Sequence, residues 1–140
     1  MNKEVTVKQA GRNILIIDDD PDVAEAARAV LQSAGYEVYW AMGGDEGLEK
    51  ARELRPDLII LDIVMRTFTE GFRVGYELRK DPLLKGIPVI ILSAISSRTG
   101  TQFSTEEDED YLPGDLFLDK PSDPEELLRK VGELIDRAKK

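Results

Sequence analysis

Five side chains in this sequence combine chemical type and position in a way that could do chemistry: Asp18, Asp19, Asp62, Ser93 and Lys120. Each follows a short apolar run. Ile14-Leu15-Ile16-Ile17 leads into Asp18-Asp19, Leu58-Ile59-Ile60-Leu61 into Asp62, and Val89-Ile90-Ile91-Leu92 into Ser93, while Lys120 comes two residues after Leu116-Phe117-Leu118. Three carboxylates without a histidine make a set of hard oxygen donors, suited to magnesium with water and phosphate oxygens completing an octahedron. Carboxylates gathered in one place repel unless a cation offsets them. A lysine supplies a point charge and a hydroxyl a hydrogen-bond donor, which is what a phosphoryl group needs. A single aspartate at a strand end is more often a helix cap or turn former, so the weight lies on the joint occurrence at four strand ends. Asp20 stands apart, because its place before Pro21 predicts a cap and not a ligand.

What is missing narrows the chemistry further. The 140 residues include no cysteine and no histidine, which excludes disulfides, thiol catalysis, histidine acid–base work and the usual zinc ligands. With 19 basic and 28 acidic side chains the formal charge is −9, which repels phosphate backbones. No dense basic patch reverses that, so nucleic-acid binding by this chain alone is not expected. The apolar runs are too short to span a bilayer, and residues 1–10 lack the apolar stretch of a secretory signal. No membrane partner and a cytoplasmic location are therefore expected. Two rival phosphate sites fail on the same rows: Asp18-Asp19-Asp20-Pro21 stands where a dinucleotide fold would place G-x-G-x-x-G, and no P-loop motif occurs anywhere. Gly43-Gly44 and Gly47 do not match either motif.

The elements that must position these side chains follow from the apolar pattern. Strands are predicted at 14–17, 36–41, 57–62, 87–92 and 116–118, the first and third as continuous apolar runs suited to burial on both faces. A helix begins at Pro21, keeps Ala24, Ala27, Val30 and Leu31 on one side, and stops at Gly35. A second helix covers 45–54 and ends at Arg55-Pro56. A third is suggested by Phe72, Gly75, Tyr76 and Leu78, running to Lys80. The last spans 124–138, with Asp123 as cap and Leu127, Leu128, Val131, Leu134 and Ile135 as its buried stripe. Alternation of this kind implies one α/β domain, a parallel sheet with helices on both faces, over 13–138 after a short leader at 1–12. Ligands of such sheets bind beyond the carboxyl ends of the strands, where the five side chains are expected. The polar, acidic segment 96–114 stands where an ordinary helix should be.

The strings Ile14-Leu15-Ile16-Ile17-Asp18-Asp19-Asp20-Pro21, Pro56-Asp57-Leu58-Ile59-Ile60-Leu61-Asp62, Ile91-Leu92-Ser93-Ala94 and Lys120-Pro121 together resemble the signatures of the response-regulator receiver family, CheY-like domains of two-component signal transduction. The resemblance runs over nearly the whole chain. It implies a flavodoxin-like (βα)5 fold with a five-stranded parallel sheet of order 2-1-3-4-5, and an atypical fourth-helix region. It further implies a phosphoacceptor at Asp62, charged from a sensor histidine kinase, a histidine phosphotransfer protein or a small phosphodonor. Asp19 corresponds to the direct magnesium ligand, Asp18 to the acid holding metal-bound water, and the backbone carbonyl of Val64 to another ligand. Ser93 matches the switch hydroxyl, Lys120 the ion-pair partner of the phosphoryl group, and Phe117 the aromatic switch position. Lys120-Pro121 resembles the family's cis peptide. The implied role is not that of a turnover enzyme but of a phosphorylated signalling module, with output through protein–protein contact to an unknown target. A phosphorylation-dependent dimer is compatible with it.

Departures from the family pattern are also legible. Arg66 replaces the usual proline after Met65, the loop to Gly71 is about one residue longer than usual, the stretch between Ser93 and Phe117 is extended, and Ser122 replaces the common phenylalanine. The altered loops leave open an interaction scaffold that signals without phosphorylation. A magnesium-dependent phosphatase of the haloacid-dehalogenase class would want D-x-D-x-[TV], and Asp18-Asp19-Asp20-Pro21-Asp22 lacks its last residue. The resemblance assigns control of dephosphorylation to Val64 and Ile95. Both are branched and apolar, unable to hydrogen-bond an attacking water, so a long-lived phosphorylated form is expected.

Overall fold

A computed structural model describes the backbone of residues 12–62, 68–93, 116–119 and 123–139, and the side chains of 12–62, 73–91 and 123–136. In chain order the elements are β1 (Asn13–Ile17), α1 (Pro21–Ser33), β2 (Glu37–Ala41), α2 (Gly44–Leu54), β3 (Leu58–Leu61), α3 (Phe68–Lys80), β4 (Val89–Ser93), β5 (Leu116–Asp119) and α4 (Pro124–Lys139). All strand pairs are parallel and the order is β2-β1-β3-β4-β5. The flavodoxin-like order expected from the sequence is therefore the observed one.

The continuous apolar runs are split by strand pleating into two cores. Leu15 and Ile17 of β1, Ile59 and Leu61 of β3, and Val89 and Ile91 of β4 face α2 and α3, where Leu48, Ala51, Val74 and Leu78 meet them. Their neighbours Ile14, Ile16, Leu58, Ile60 and Ile90 face α1 and α4 and meet Ala24, Ala27, Leu31, Leu127, Val131 and Ile135. Successive strand residues point to opposite faces, so a strand covered on both must be apolar throughout. Burying each Leu or Ile contributes about 1.5–3 kcal/mol, which makes the central strands the rigid base of the site.

Local signals set the element ends. Asp20 caps α1, its Oδ1 accepting from the N–H of Asp22 at 3.0 Å and of Val23 at 3.5 Å. Gly35, at φ 98°, closes α1 with paired bonds from Gly35 N–H to the Gln32 carbonyl and from Tyr36 N–H to the Leu31 carbonyl. Arg55 takes a left-handed conformation, φ 46°, that ends α2 before Pro56. Asp57 then ties two strand starts together: its Oδ2 accepts from Asn13 N–H at 2.7 Å while its own N–H donates to the Asn13 carbonyl at 2.8 Å. Asp57 of the second signature string thus has a structural task.

Some boundaries differ from those predicted. Helix α3 starts at Phe68, four residues before Phe72, and carries both Gly71 and Gly75 within it, so neither glycine breaks it. Strand β4 starts at Val89 and not 87, since the Ile87 N–H is spent in a turn to the Leu84 carbonyl and Pro88 has no N–H. At α4, the Asp123 carbonyl accepts from Leu127 N–H at 2.9 Å, which places Asp123 at the head of the helix as expected. Residues 1–11 of the expected leader and all of 96–114 lie outside the described residues. Arg12 already belongs to the fold, its carbonyl accepting from Glu37 N–H at 3.0 Å.

Candidate metal centre at the carboxyl edge of the sheet

Asp18 and Asp62 come together through strand register. Ile17 is the register partner of Leu61, so the next step along both strands sets Asp18 beside Asp62. The ladder extends into the site: Asp62 N–H donates to the Ile17 carbonyl at 2.9 Å, and Asp18 N–H to the Ala41 carbonyl at 3.1 Å. Two side chains in register on adjacent parallel strands point to the same side. Asp19, one residue further, comes from the turn into α1. One carboxylate oxygen each from Asp18, Asp19 and Asp62 lie within 4.8 Å of one another.

Burial sharpens the arrangement. Asp18 and Asp62 are each 3% exposed and are the only buried charged side chains among the described residues, while Asp19 is half-buried at the mouth. Charged groups withdrawn from water require compensation by hydrogen bonds or an opposite charge. A six-coordinate magnesium ion with oxygens at about 2.1 Å places adjacent ligands about 3 Å apart and opposite ones about 4.2 Å apart. The observed spread of up to 4.8 Å is within a small side-chain adjustment of that geometry, or fits with water between one acid and the ion. The donor set, all hard oxygens, fits the same ion.

The turn carrying the acids is braced from three sides. Asp20 N–H donates to Asp18 Oδ1 at 2.9 Å, closing a tight turn. The Asp20 side chain in turn caps α1. The third brace is Trp40, whose indole Nε1–H donates to the Asp18 backbone carbonyl at 2.7 Å. Sequence reasoning placed Trp40 in a strand and gave it no task. The signal was available, since a half-buried indole N–H needs an acceptor and this is the chain's one tryptophan.

The remaining predicted residues are placed to different degrees. Ser93 is the last residue of β4, and its register partner is Asp119, the last of β5, so the backbone of Ser93 reaches the same edge as the acids. Phe117 lies in β5 opposite Ile91. The side chains of Ser93 and Phe117 are outside the described residues, as are Val64, Ile95, Lys120 and the Lys120-Pro121 bond. Among the described residues no helix is long and apolar enough to cross a membrane.

Comparison with known proteins agrees on the fold and shows the family. A family model described as the response regulator receiver domain matches residues 14–132. The DNA-binding dual master transcriptional regulator RpaA of Synechocystis sp. is 37% identical over 129 residues, covering 89% of this chain and 49% of that protein. Protein PilH of Pseudomonas aeruginosa is 33% identical over 123 residues, covering 87% of this chain and 96% of that one. The solved structure of the chemotaxis response regulator CheY4 of Vibrio cholerae superposes with a TM-score of 0.74 at 30% identity, covering 88% of this chain and 98% of the other. The chain spans about half the length of several of the curated relatives it matches, RpaA among them.

Proposed function

Because the chain belongs to the response regulator receiver family, whose domains accept a phosphoryl group in two-component signalling, we propose that Asp62 is the phosphoacceptor and that Asp18, Asp19 and Asp62 hold one magnesium ion. The observation that carries this reading is the pairing of buried Asp18 and Asp62 in strand register, with a third carboxylate oxygen inside the same 4.8 Å cluster. When bound, the magnesium ion supplies positive charge against the phosphoryl oxygens. Asp62 then acts as the nucleophile: a carboxylate oxygen bonds to phosphorus as the P–N bond of a phosphohistidine breaks. The electron pair leaves with the imidazole, which takes up a proton, and the product is an acyl phosphate on Asp62. Asp19, half-exposed at the mouth, would ligate the ion directly, and Asp18, deeper, would hold its water.

The roles of Ser93, Lys120, Phe117 and the Val64 carbonyl rest on the family strings. Lys120 would pair with the phosphoryl oxygens and Ser93 would donate to one of them, so both gain a partner that exists only after phosphorylation. The donor would be a sensor histidine kinase or a histidine phosphotransfer protein, and output would run through contact with a protein target. The chain's own contribution is self-directed chemistry and not turnover of a free substrate. Its setting would be the cytoplasm. Val64 and Ile95, unable to position an attacking water, would make the phosphorylated state long-lived.

The test is mass spectrometry after incubation with magnesium and either acetyl phosphate or a phosphorylated histidine donor. The expected result is one hydroxylamine-sensitive phosphoryl group in the wild type and none in Asp62→Asn. No phosphoryl gain with both donor types, or an equal gain in the variant, would refute the assignment.

A further inference from the structure

The acidic turn is held by a group from outside the acid set. Strand β2 ends at Ala41, so its ladder with β1 reaches the Asp18 N–H, at 3.1 Å from the Ala41 carbonyl. The carbonyl of Asp18, one atom group further along, accepts instead from the Trp40 indole N–H at 2.7 Å. That carbonyl belongs to the peptide plane joining Asp18 to Asp19. Its orientation sets ψ of Asp18 and φ of Asp19, and hence the direction in which the Asp19 side chain leaves the backbone. The indole itself has little freedom. Trp40 is half-buried, packs with the cluster on the α1 and α4 side of the sheet, and stands in register beside Ile16, which is 1% exposed.

We propose that Trp40 is a positioning residue for the metal centre, its indole N–H fixing the Asp18–Asp19 peptide so that both carboxylates face Asp62. This rests on the magnesium reading above. A turn made of two adjacent acids would otherwise be pushed outward by mutual repulsion in the metal-free protein. A hydrogen bond from a half-buried ring packed against the core holds the acids close before the ion arrives, so less ordering accompanies binding. The same bond makes the indole N–H a reporter, because a cation drawing on the Asp18 and Asp19 carboxylates alters the electron density and angle of the peptide carbonyl between them.

The chain contains one tryptophan, which allows a clean experiment. Replacing it residue-specifically with benzothienylalanine keeps the ring shape and removes the N–H, and Trp40→Phe provides a genetically encoded second variant. Magnesium binding is read by calorimetric titration of all three proteins, with urea melts in EDTA to follow stability separately. In the wild type, the single indole N–H resonance is followed during the titration. The expected result is a shift of that resonance with magnesium and a Kd raised about 3–10-fold in both variants, the range for losing one hydrogen bond. Lower stability with an unchanged Kd would assign Trp40 to packing alone and overturn the proposal, as would an indole resonance indifferent to saturating magnesium. A wild-type protein that binds no magnesium would overturn the metal reading itself and the role of Trp40 with it.

Discussion

Replacing Asp62 by asparagine should make the metal-free protein more stable, not less. The change is nearly isosteric at a residue that is 3% exposed, so packing is preserved. What changes is charge. One oxygen of Asp62 lies within 4.8 Å of an oxygen of Asp18 and of one of Asp19. Two unit charges at 4.8 Å repel by about 0.9 kcal/mol in water and about 3.5 kcal/mol at an effective dielectric constant near 20. Asp62 feels two such neighbours, one buried and one half-exposed. Against this relief stands the loss of a charged acceptor, about 1.5–3 kcal/mol for each hydrogen bond to a charged group that the change removes. The net expectation is a gain of about 1–3 kcal/mol. With a urea m-value of about 2 kcal/mol/M, that moves the midpoint up by about 0.5–1.5 M. Magnesium should close the gap from the other side, since at ten times Kd it stabilises the wild type by about 1.4 kcal/mol and the weaker-binding variant by less. The assay is a pair of urea melts in EDTA and in magnesium at low ionic strength. A variant no more stable than the wild type in EDTA, with m unchanged, would show that the three carboxylates do not repel in the folded protein and would refute the electrostatic argument for a cation there.

Four further outcomes are expected. Asp19→Ala removes the carboxylate nearest the mouth of the cluster and should weaken magnesium binding by at least about tenfold in calorimetric titration, the lower end of the loss seen even for residues that only support a ligand. Gly47→Ala should destabilise by about 1 kcal/mol in urea melts, because the added Cβ would stand 2.7–2.9 Å from three side-chain atoms of Ile17, which is fully buried. Overpacking of about 1–3 kcal/mol outweighs the roughly 1 kcal/mol gained in helix propensity, and Ile17→Val should relieve part of it in a double-mutant cycle. Asp81 is held below its ordinary value of 3.8, first by the Leu83 N–H and then by Arg52, so its contribution is present above that value and is lost as pH falls through the lower folded one; Asp81→Asn should lower stability at neutral pH and flatten its dependence on pH in acid melts below 3.8, where variant and wild type converge. The phosphorylated wild type should decay over many minutes to hours after donor removal, and a Val64→Asn, Ile95→Glu double mutant should decay faster; equal rates would free these two positions from any role in admitting water.

Much of the fold could be read from the chain because its signals are local or periodic. Ile14-Leu15-Ile16-Ile17 and Leu58-Ile59-Ile60-Leu61 are apolar at every position, which only burial on both faces explains, and the two cores on either side of the sheet bear that out. Asp20 before Pro21 and Gly35 after a helical stripe are stop and start signals whose hydrogen bonds involve near neighbours, and both act as the pattern predicts. The acids at strand ends were legible as a set because the strand ends of a parallel sheet share one edge. The start of α3 was less legible, since the apolar signals begin at Phe72, whereas the helix begins at Phe68 and holds Gly71 and Gly75 inside it. What only tertiary structure decided is distance and register. Nothing in the sequence says that Ile17 pairs with Leu61, yet that pairing is what sets Asp18 beside Asp62. Nor does it say that Trp40, 22 residues from Asp18, bonds to its carbonyl, because β2 meets β1 only when α1 folds back across the sheet. Residue types are properties of the chain, but the closeness of three like charges is a property of the packed sheet, whose buried apolar faces hold together an edge that the acids alone would push apart.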